Sequence, residues 1–157
     1  MDFQKNLLNG RILALDLGKK RIGLALSDPL GVTAQGLPTY QRTTIREDIA
    51  AIQTIAAENE VNLILMGYPL HMMGNAGRQA QYTQDFAERL TARAGLKIRY
   101  WDERLTSVEA GRVLKQSGIS IEKRAKAVDR LSAVILLASF LDAGCPPEPE
   151  PKGAPAQ

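Results

Sequence analysis

Short runs of apolar residues separated by polar segments dominate the first hundred positions, and their lengths predict strands. Such runs occupy residues 11–17, 21–27, 61–66 and 97–101. The first two are separated only by Gly18-Lys19-Lys20, which predicts a β-hairpin. A further extended segment is expected within residues 32–40. The pattern therefore indicates five strands, three of them before any helix.

Apolar residues spaced by three or four positions predict helices between and after the later strands. Thr43 or Thr44 can cap the first helix, which is expected to reach about Asn59, and Gly95 is suited to follow the end of the second. Residues 122–126 are expected to form a basic linker before the last helix. The predicted helices cover about 45–59, 77–94, 106–117 and 128–141.

The order of these elements predicts an α/β fold. Strands joined by short links pair antiparallel, whereas strand-helix-strand units require parallel pairing. A mixed five-stranded sheet with helices on both faces satisfies both conditions. The 157 residues suit one domain, expected over residues 1–143. Residues 144–157 contain five prolines and are expected to form a disordered tail.

Composition narrows the chemistry that this domain could perform. The single cysteine excludes an intrachain disulfide, and one cysteine with one histidine excludes a Cys/His zinc site. Neither a signal peptide nor a membrane-spanning run is evident, so a cytoplasmic protein without membrane contact is expected. The formal charge of +3 permits a nucleic-acid partner but does not demonstrate one.

Three acidic residues stand where α/β folds place functional sites. Asp16 lies near the end of the first strand, Glu103 follows the strand ending at Trp101, and Asp129 begins the last predicted helix. If they converge, their repulsion requires bound cations, and an all-oxygen ligand set favours Mg²⁺ or Mn²⁺. Two such ions would activate water and stabilise the leaving oxygen of a phosphodiester.

Simpler interpretations of these acids are more common in proteins. An acid after a strand usually forms a turn, and an acid at a helix start usually compensates the helix dipole. Asp28, within Ser27-Asp28-Pro29, is interpreted as such a turn residue. Spacing alone leaves both interpretations of the three acids open.

Four motifs resemble those of one family, YqgF/RuvX, and they occur in that family's order from Arg11 to Leu141. The resemblance rests on Leu15-Asp16-Leu17-Gly18-Lys19-Lys20-Arg21, Gly67-Tyr68-Pro69-Leu70, Asp102-Glu103-Arg104-Leu105-Thr106 and Ala127-Val128-Asp129-Arg130-Leu131. His71 departs from the family pattern, which often has asparagine there. A solvated loop histidine is its simplest interpretation.

The resemblance implies a ribonuclease H-like fold and a hydrolase that cuts nucleic-acid phosphodiesters. It also implies that Asp16, Glu103 and Asp129 are both the catalytic residues and the metal ligands. Members of the family are described as nucleases that mature the 5′ end of pre-16S rRNA and as Holliday junction resolvases. The expected partner is therefore structured RNA such as pre-rRNA, or branched DNA. A monomer or weak homodimer is expected.

Basic residues flank each of the three acids and are candidates for binding phosphate. They are Lys19, Lys20, Arg21, Arg104, Lys123, Arg124 and Lys126. Solvated turns and helix ends are the alternative explanation for these charges.

Two other functions compete with a nuclease. Asp-Leu-Gly before a basic hairpin also resembles the phosphate loop of actin-like ATPases, but those proteins need two such domains. A catalytically silent nucleic-acid-binding module is the other alternative, and the intact acid triad argues against it.

Overall fold

A five-stranded sheet forms the centre of the described part of the protein. The computed structural model describes residues 10–68, 76–102 and 121–146. The strands are β1 (Arg11–Leu17), β2 (Arg21–Ser27), β3 (Ala34–Gln41), β4 (Val61–Tyr68) and β5 (Lys97–Asp102). The helices are α1 (Ile45–Glu58), α2 (Ala76–Ala94) and α3 (Ile121–Asp142). The strand order is β3-β2-β1-β4-β5, so β1 is central.

The pairing directions confirm the mixed sheet predicted from the link lengths. Strands β1, β2 and β3 pair antiparallel, and Leu15 lies opposite Leu24 in the hairpin. Strand β4 pairs parallel with both β1 and β5. Pro38, which has no N–H for a ladder, lies in the edge strand β3, where sheets tolerate proline.

The two faces of the sheet have separate apolar cores. Leu13, Leu15 and Leu17 of β1 pack with helices α1 and α2 on one face. Ile12 and Ala14 pack with helix α3 on the other. Successive residues of a strand point to opposite faces, so the continuous apolar run of β1 supplies both cores. Helices on both faces are thus confirmed.

The ends of the first two helices match the sequence prediction. The Thr44 hydroxyl accepts the N–H of Glu47 at 3.2 Å, so Thr44 is the N-cap of α1. Helix α2 is followed by Gly95 with φ of +68°, a conformation that favours glycine. No helix among these described residues combines the length and apolar character that a membrane span requires.

The start of the last helix corrects one prediction. Helix α3 begins at Ile121, so the segment expected to be a basic linker forms its first turns. Lys123, Arg124 and Ala125 are good helix formers, so their charges were not a reason to exclude this segment from the helix. The helix predicted at 106–117 lies outside the described residues.

The described chain continues for a few residues beyond α3. The N–H of Cys145 donates to the carbonyl of Phe140 at 3.0 Å, and Cys145 packs against the α3-side core. Burial raises the pKa of its thiol. Residues 147–157 lie outside the described part, so the expected disorder of the tail stays a prediction.

Asp28 is a turn residue, as its Ser-Asp-Pro context predicted. Its Oδ1 accepts the backbone N–H groups of Val32 and Thr33, both at 2.7 Å, and its Oδ2 accepts that of Leu30 at 3.2 Å. The bond from Thr33 contributes most to lowering the pKa of this carboxyl. Asp28 therefore organises the β2–β3 connection.

Candidate metal and phosphate site

Asp16 lies near the carboxyl end of the central strand, on the face that α3 covers. Asp16 comes two residues after Ala14 and four after Ile12, so it lies on the same face of β1 as these two residues, which pack against α3. Unlike those buried neighbours, Asp16 is only half-buried. The sheet therefore presents one carboxylate at the margin of the α3-side core.

The strands on either side of Asp16 carry glycine at the neighbouring positions. Gly23 of β2 is its cross-strand partner. Leu15 pairs with Met66 in β4, so the next residue, Gly67, lies on the other side of Asp16. Glycine has no side chain, so neither neighbour places one beside the carboxylate. Carboxylate oxygens are ligands that Mg²⁺ and Mn²⁺ prefer, so the residue type at position 16 fits a divalent cation.

The other two predicted ligands are not brought together with Asp16 by the described residues. Glu103 follows directly after the end of β5 and lies outside them. Position 129 lies in helix α3, four residues before Ala133, which packs on the sheet, but its side chain is not described. Within residues 10–68, 76–102 and 121–146, no three His, Cys, Asp or Glu side chains form a metal-binding group. The triad therefore stays a prediction.

The β1–β2 turn beside Asp16 exposes two lysines. Lys19 and Lys20 are both exposed, and Arg21 is half-buried at the start of β2. The N–H of Gly18 donates to the carbonyl of Arg21 at 2.9 Å. A Cβ at Gly18 would lie 2.7 Å from that carbonyl oxygen, so glycine permits this close turn. The hairpin thus places positive charge within a few residues of Asp16.

The remaining basic candidates and His71 are not tested by the described side chains. Lys123, Arg124 and Lys126 lie in the first two turns of α3, but their side chains are not described. Arg104 and His71 lie outside the described residues. The phosphate contacts proposed for these four basic residues stay predictions, and so does the interpretation of His71 as a solvated loop histidine.

Arg130, the residue after position 129, attaches helix α3 to the edge strand β3. The Arg130 Nη2 atom donates to the carbonyl of Gly36 in β3 at 2.9 Å. A Cβ at Gly36 would lie 2.6 Å from Nε of Arg130 and 3.2 Å from a methyl of Val134. Glycine at this position therefore lets the helix approach the strand closely. Sequence reasoning did not anticipate this contact.

Trp101 belongs to the α3-side core. Its ring meets that of Phe140 edge to face with 5.2 Å between centroids. Its Nε1 donates to the Ser139 hydroxyl at 3.1 Å. These contacts give Trp101 a structural role, with its ring in the core and its N–H paired.

A buried ion pair near the hairpin was also missed at the sequence level. Arg42 Nε lies 2.8 Å from Oδ2 of Asp48, and Asp48 is fully buried. Ile45, Asp48, Ile49 and Ile52 have the spacing of one helix face, so a charged residue within the apolar stripe of α1 was the available signal.

Comparison with known proteins decides the family. The family model described as "RuvX: Holliday junction resolvase" matches residues 10–143. The chain belongs to the RuvX family. It is thus a nuclease by family, and the match covers both core faces, the hairpin and helix α3.

Relatives within the RuvX family are similar over most of their length. A Koribacter versatilis protein named "Putative pre-16S rRNA nuclease" is 49% identical over 139 residues, covering 88% of this chain and 91% of that protein. A protein of the same name from Clostridioides difficile is 43% identical over 136 residues, with 87% and 96% covered.

Solved structures confirm the ribonuclease H-like fold predicted for a RuvX member. RuvC from Thermus thermophilus, solved in complex with a Holliday junction substrate, matches with a TM-score of 0.54 at 11% identity. The match covers 86% of this chain and 96% of RuvC. The resolvase of Fowlpox virus, solved with Holliday junction DNA, has a TM-score of 0.52 at 12% identity, with 85% and 97% covered.

Proposed function

We propose that this protein is a metal-dependent endonuclease that trims the 5′ end of pre-16S rRNA in the cytoplasm. The observation that carries the proposal is Asp16 itself. It is a half-buried carboxylate at the end of the central strand, flanked by Gly23 and Gly67, in a chain of the RuvX family. The relatives named "Putative pre-16S rRNA nuclease" support the choice of substrate.

In this proposal Asp16, Glu103 and Asp129 hold Mg²⁺ or Mn²⁺. The bound ions would supply an activated water and charge stabilisation for phosphodiester hydrolysis. Asp16 would contribute oxygen ligands from the central strand β1, where its neighbours in β2 and β4 are Gly23 and Gly67. The Lys19-Lys20-Arg21 hairpin binds the adjacent backbone phosphates, with Arg104, Lys123, Arg124 and Lys126 as further contacts.

A cleavage assay tests the metal and the substrate together. The protein is incubated with Mn²⁺ or Mg²⁺ and a labelled RNA that spans the 5′ end of the 16S precursor. Cleavage that leaves a defined 5′ end, and that stops in excess EDTA, is the expected result. Full activity in EDTA would contradict the role of the metal.

Holliday junction resolution is the second candidate, because the matching family model carries that description. A four-way DNA junction in the same assay separates the two functions. Symmetric cuts in the junction with no cleavage of the RNA would favour a resolvase. Binding of both substrates without cleavage of either would favour the silent binding module.

The phosphate role of the hairpin predicts a change in salt dependence. Replacing Lys19, Lys20 and Arg21 by alanine removes up to three phosphate contacts. The log-log slope of affinity against salt should therefore become shallower by up to about three units, near one unit per lost contact. Binding to RNA of every sequence should weaken alike, as measured by fluorescence anisotropy in EDTA.

A triple variant with the same loss of charge provides the control. Arg89, Arg93 and Lys97 are exposed near the end of α2 and the start of β5, at the opposite end of the parallel strands from Asp16. Their replacement by alanine should leave the slope nearly unchanged. Equal slopes for the hairpin variant and the parent would instead identify Lys19, Lys20 and Arg21 as a solvated turn.

A further inference from the structure

The buried ion pair at the start of α1 lies next to the β1–β2 hairpin. The Arg42 and Asp48 side chains are 8% and 0% exposed, with 2.8 Å between Nε and Oδ2. The other carboxylate oxygen, Oδ1, accepts the N–H of Thr43 at 2.9 Å. Lost hydration offsets much of the attraction within a buried pair, so stability alone is a weak explanation for it.

Arg42 connects this pair to the backbone of the hairpin turn. Its Nη1 donates to the carbonyl of Gly18 at 2.8 Å. Its backbone N–H donates to the carbonyl of Lys20 at 2.9 Å. A third carbonyl of the turn, that of Arg21, accepts the N–H of Gly18. Hydrogen bonds from Arg42 therefore hold the backbone of the turn at Gly18, before Lys19, and at Lys20.

The guanidinium of Arg42 is in turn fixed by helix α2. Its Nη1 contacts the hydroxyl of Tyr82. Its Cζ lies 5.3 Å from the centroid of the Tyr82 ring and 5.5 Å from that of Phe86. Both aromatic residues pack in the core formed by α1 and α2, whereas Asp16 lies on the α3 face. Arg42 thus contacts the turn from the side opposite to the candidate metal site.

We propose that Arg42, held by Asp48 and Tyr82, is a positioning residue that fixes the hairpin in the conformation in which Lys19 and Lys20 bind nucleic-acid phosphate. The inference rests on the phosphate role assigned to the hairpin under the proposed function. Arg42 acts through the carbonyls of the turn. Its loss should therefore affect affinity only where the hairpin lysines are present.

A double-mutant cycle tests this dependence. Arg42→Lys keeps the charge, but one ammonium group cannot reproduce the planar fork that serves Asp48 and Gly18 together. The dissociation constant for the labelled precursor RNA, measured in EDTA, should rise about tenfold in the parent hairpin. In a chain that also carries Lys19→Ala and Lys20→Ala, adding Arg42→Lys should cause almost no further loss.

A destabilised control separates positioning from general loss of structure. Leu90, fully buried in α2, lies one turn beyond Phe86, and Leu90→Ala should lower the melting temperature while leaving the affinity of the folded protein unchanged. Equal losses from Arg42→Lys in both hairpin backgrounds, or no loss in either, would overturn the inference. If the two lysine substitutions alone left affinity unchanged, the phosphate role of the hairpin would be wrong, and the positioning role with it.

Discussion

Asp16→Asn is expected to lower the rate of cleavage by on the order of a thousandfold while preserving the binding of RNA. The amide is nearly isosteric with the carboxylate but is neutral and a poor ligand for Mg²⁺ or Mn²⁺. A loss of this size corresponds to about 4 kcal/mol of transition-state stabilisation. Single-turnover cleavage with the enzyme in excess over the labelled RNA measures the chemical step directly.

The response of melting temperature to metal distinguishes a ligand from a structural aspartate. A cation that binds the native state at 100 times its dissociation constant adds about 2.7 kcal/mol of stability, and Asp16→Asn should lose most of this gain. Asp85→Asn is the matched control, because Asp85 is an exposed acid of α2 that accepts a bond from Gln81. A full response to Mn²⁺ in the Asp16→Asn protein would refute the assignment of Asp16 as a ligand.

Asp48→Ala is expected to lower the free energy of unfolding by about 3–5 kcal/mol. The substitution leaves the guanidinium of Arg42, which is only 8% exposed, without its counter-charge. It also removes the acceptor for the N–H of Thr43. Urea unfolding followed by circular dichroism measures the loss.

Apolar replacement of both partners should recover much of this stability. In a protein with Arg42→Met and Asp48→Leu no buried charge remains, and packing can substitute for the pair. If Arg42 positions the hairpin, this double variant should nevertheless have a lower affinity for RNA than the parent protein. A double variant that is stable and also binds RNA normally would reduce the ion pair to a purely structural feature.

Local sequence patterns predicted most of this fold, because strands, turns and helix caps depend mainly on residues that are close together in the sequence. The hairpin follows from two apolar runs around Gly18-Lys19-Lys20, and the N-cap at Thr44 follows from its place before a helical stripe. The start of α3 was wrong because a run of charged residues was interpreted as a linker although its residue types favour a helix.

The partners of buried charges could not be predicted in the same way. The position of Asp48 within the apolar stripe of α1 indicated that it needed a cation, but the sequence contains 20 lysines and arginines. Only the three-dimensional arrangement selects Arg42 and directs its remaining donors to Gly18 and Tyr82. The contact between Arg130 and Gly36 spans 94 positions and is likewise invisible to any local pattern.

During synthesis, the sheet face that carries Asp16 stays uncovered until helix α3 has been made. Strand β1 is made early, yet the helix that packs on Ile12 and Ala14 begins about a hundred residues later, at Ile121. A nascent chain that ends before this helix exposes an apolar sheet face and lacks Asp129, one of the three proposed metal ligands. We therefore expect C-terminally truncated chains to be both prone to aggregation and unable to cut RNA, so that nuclease activity arises only when synthesis of the domain is complete.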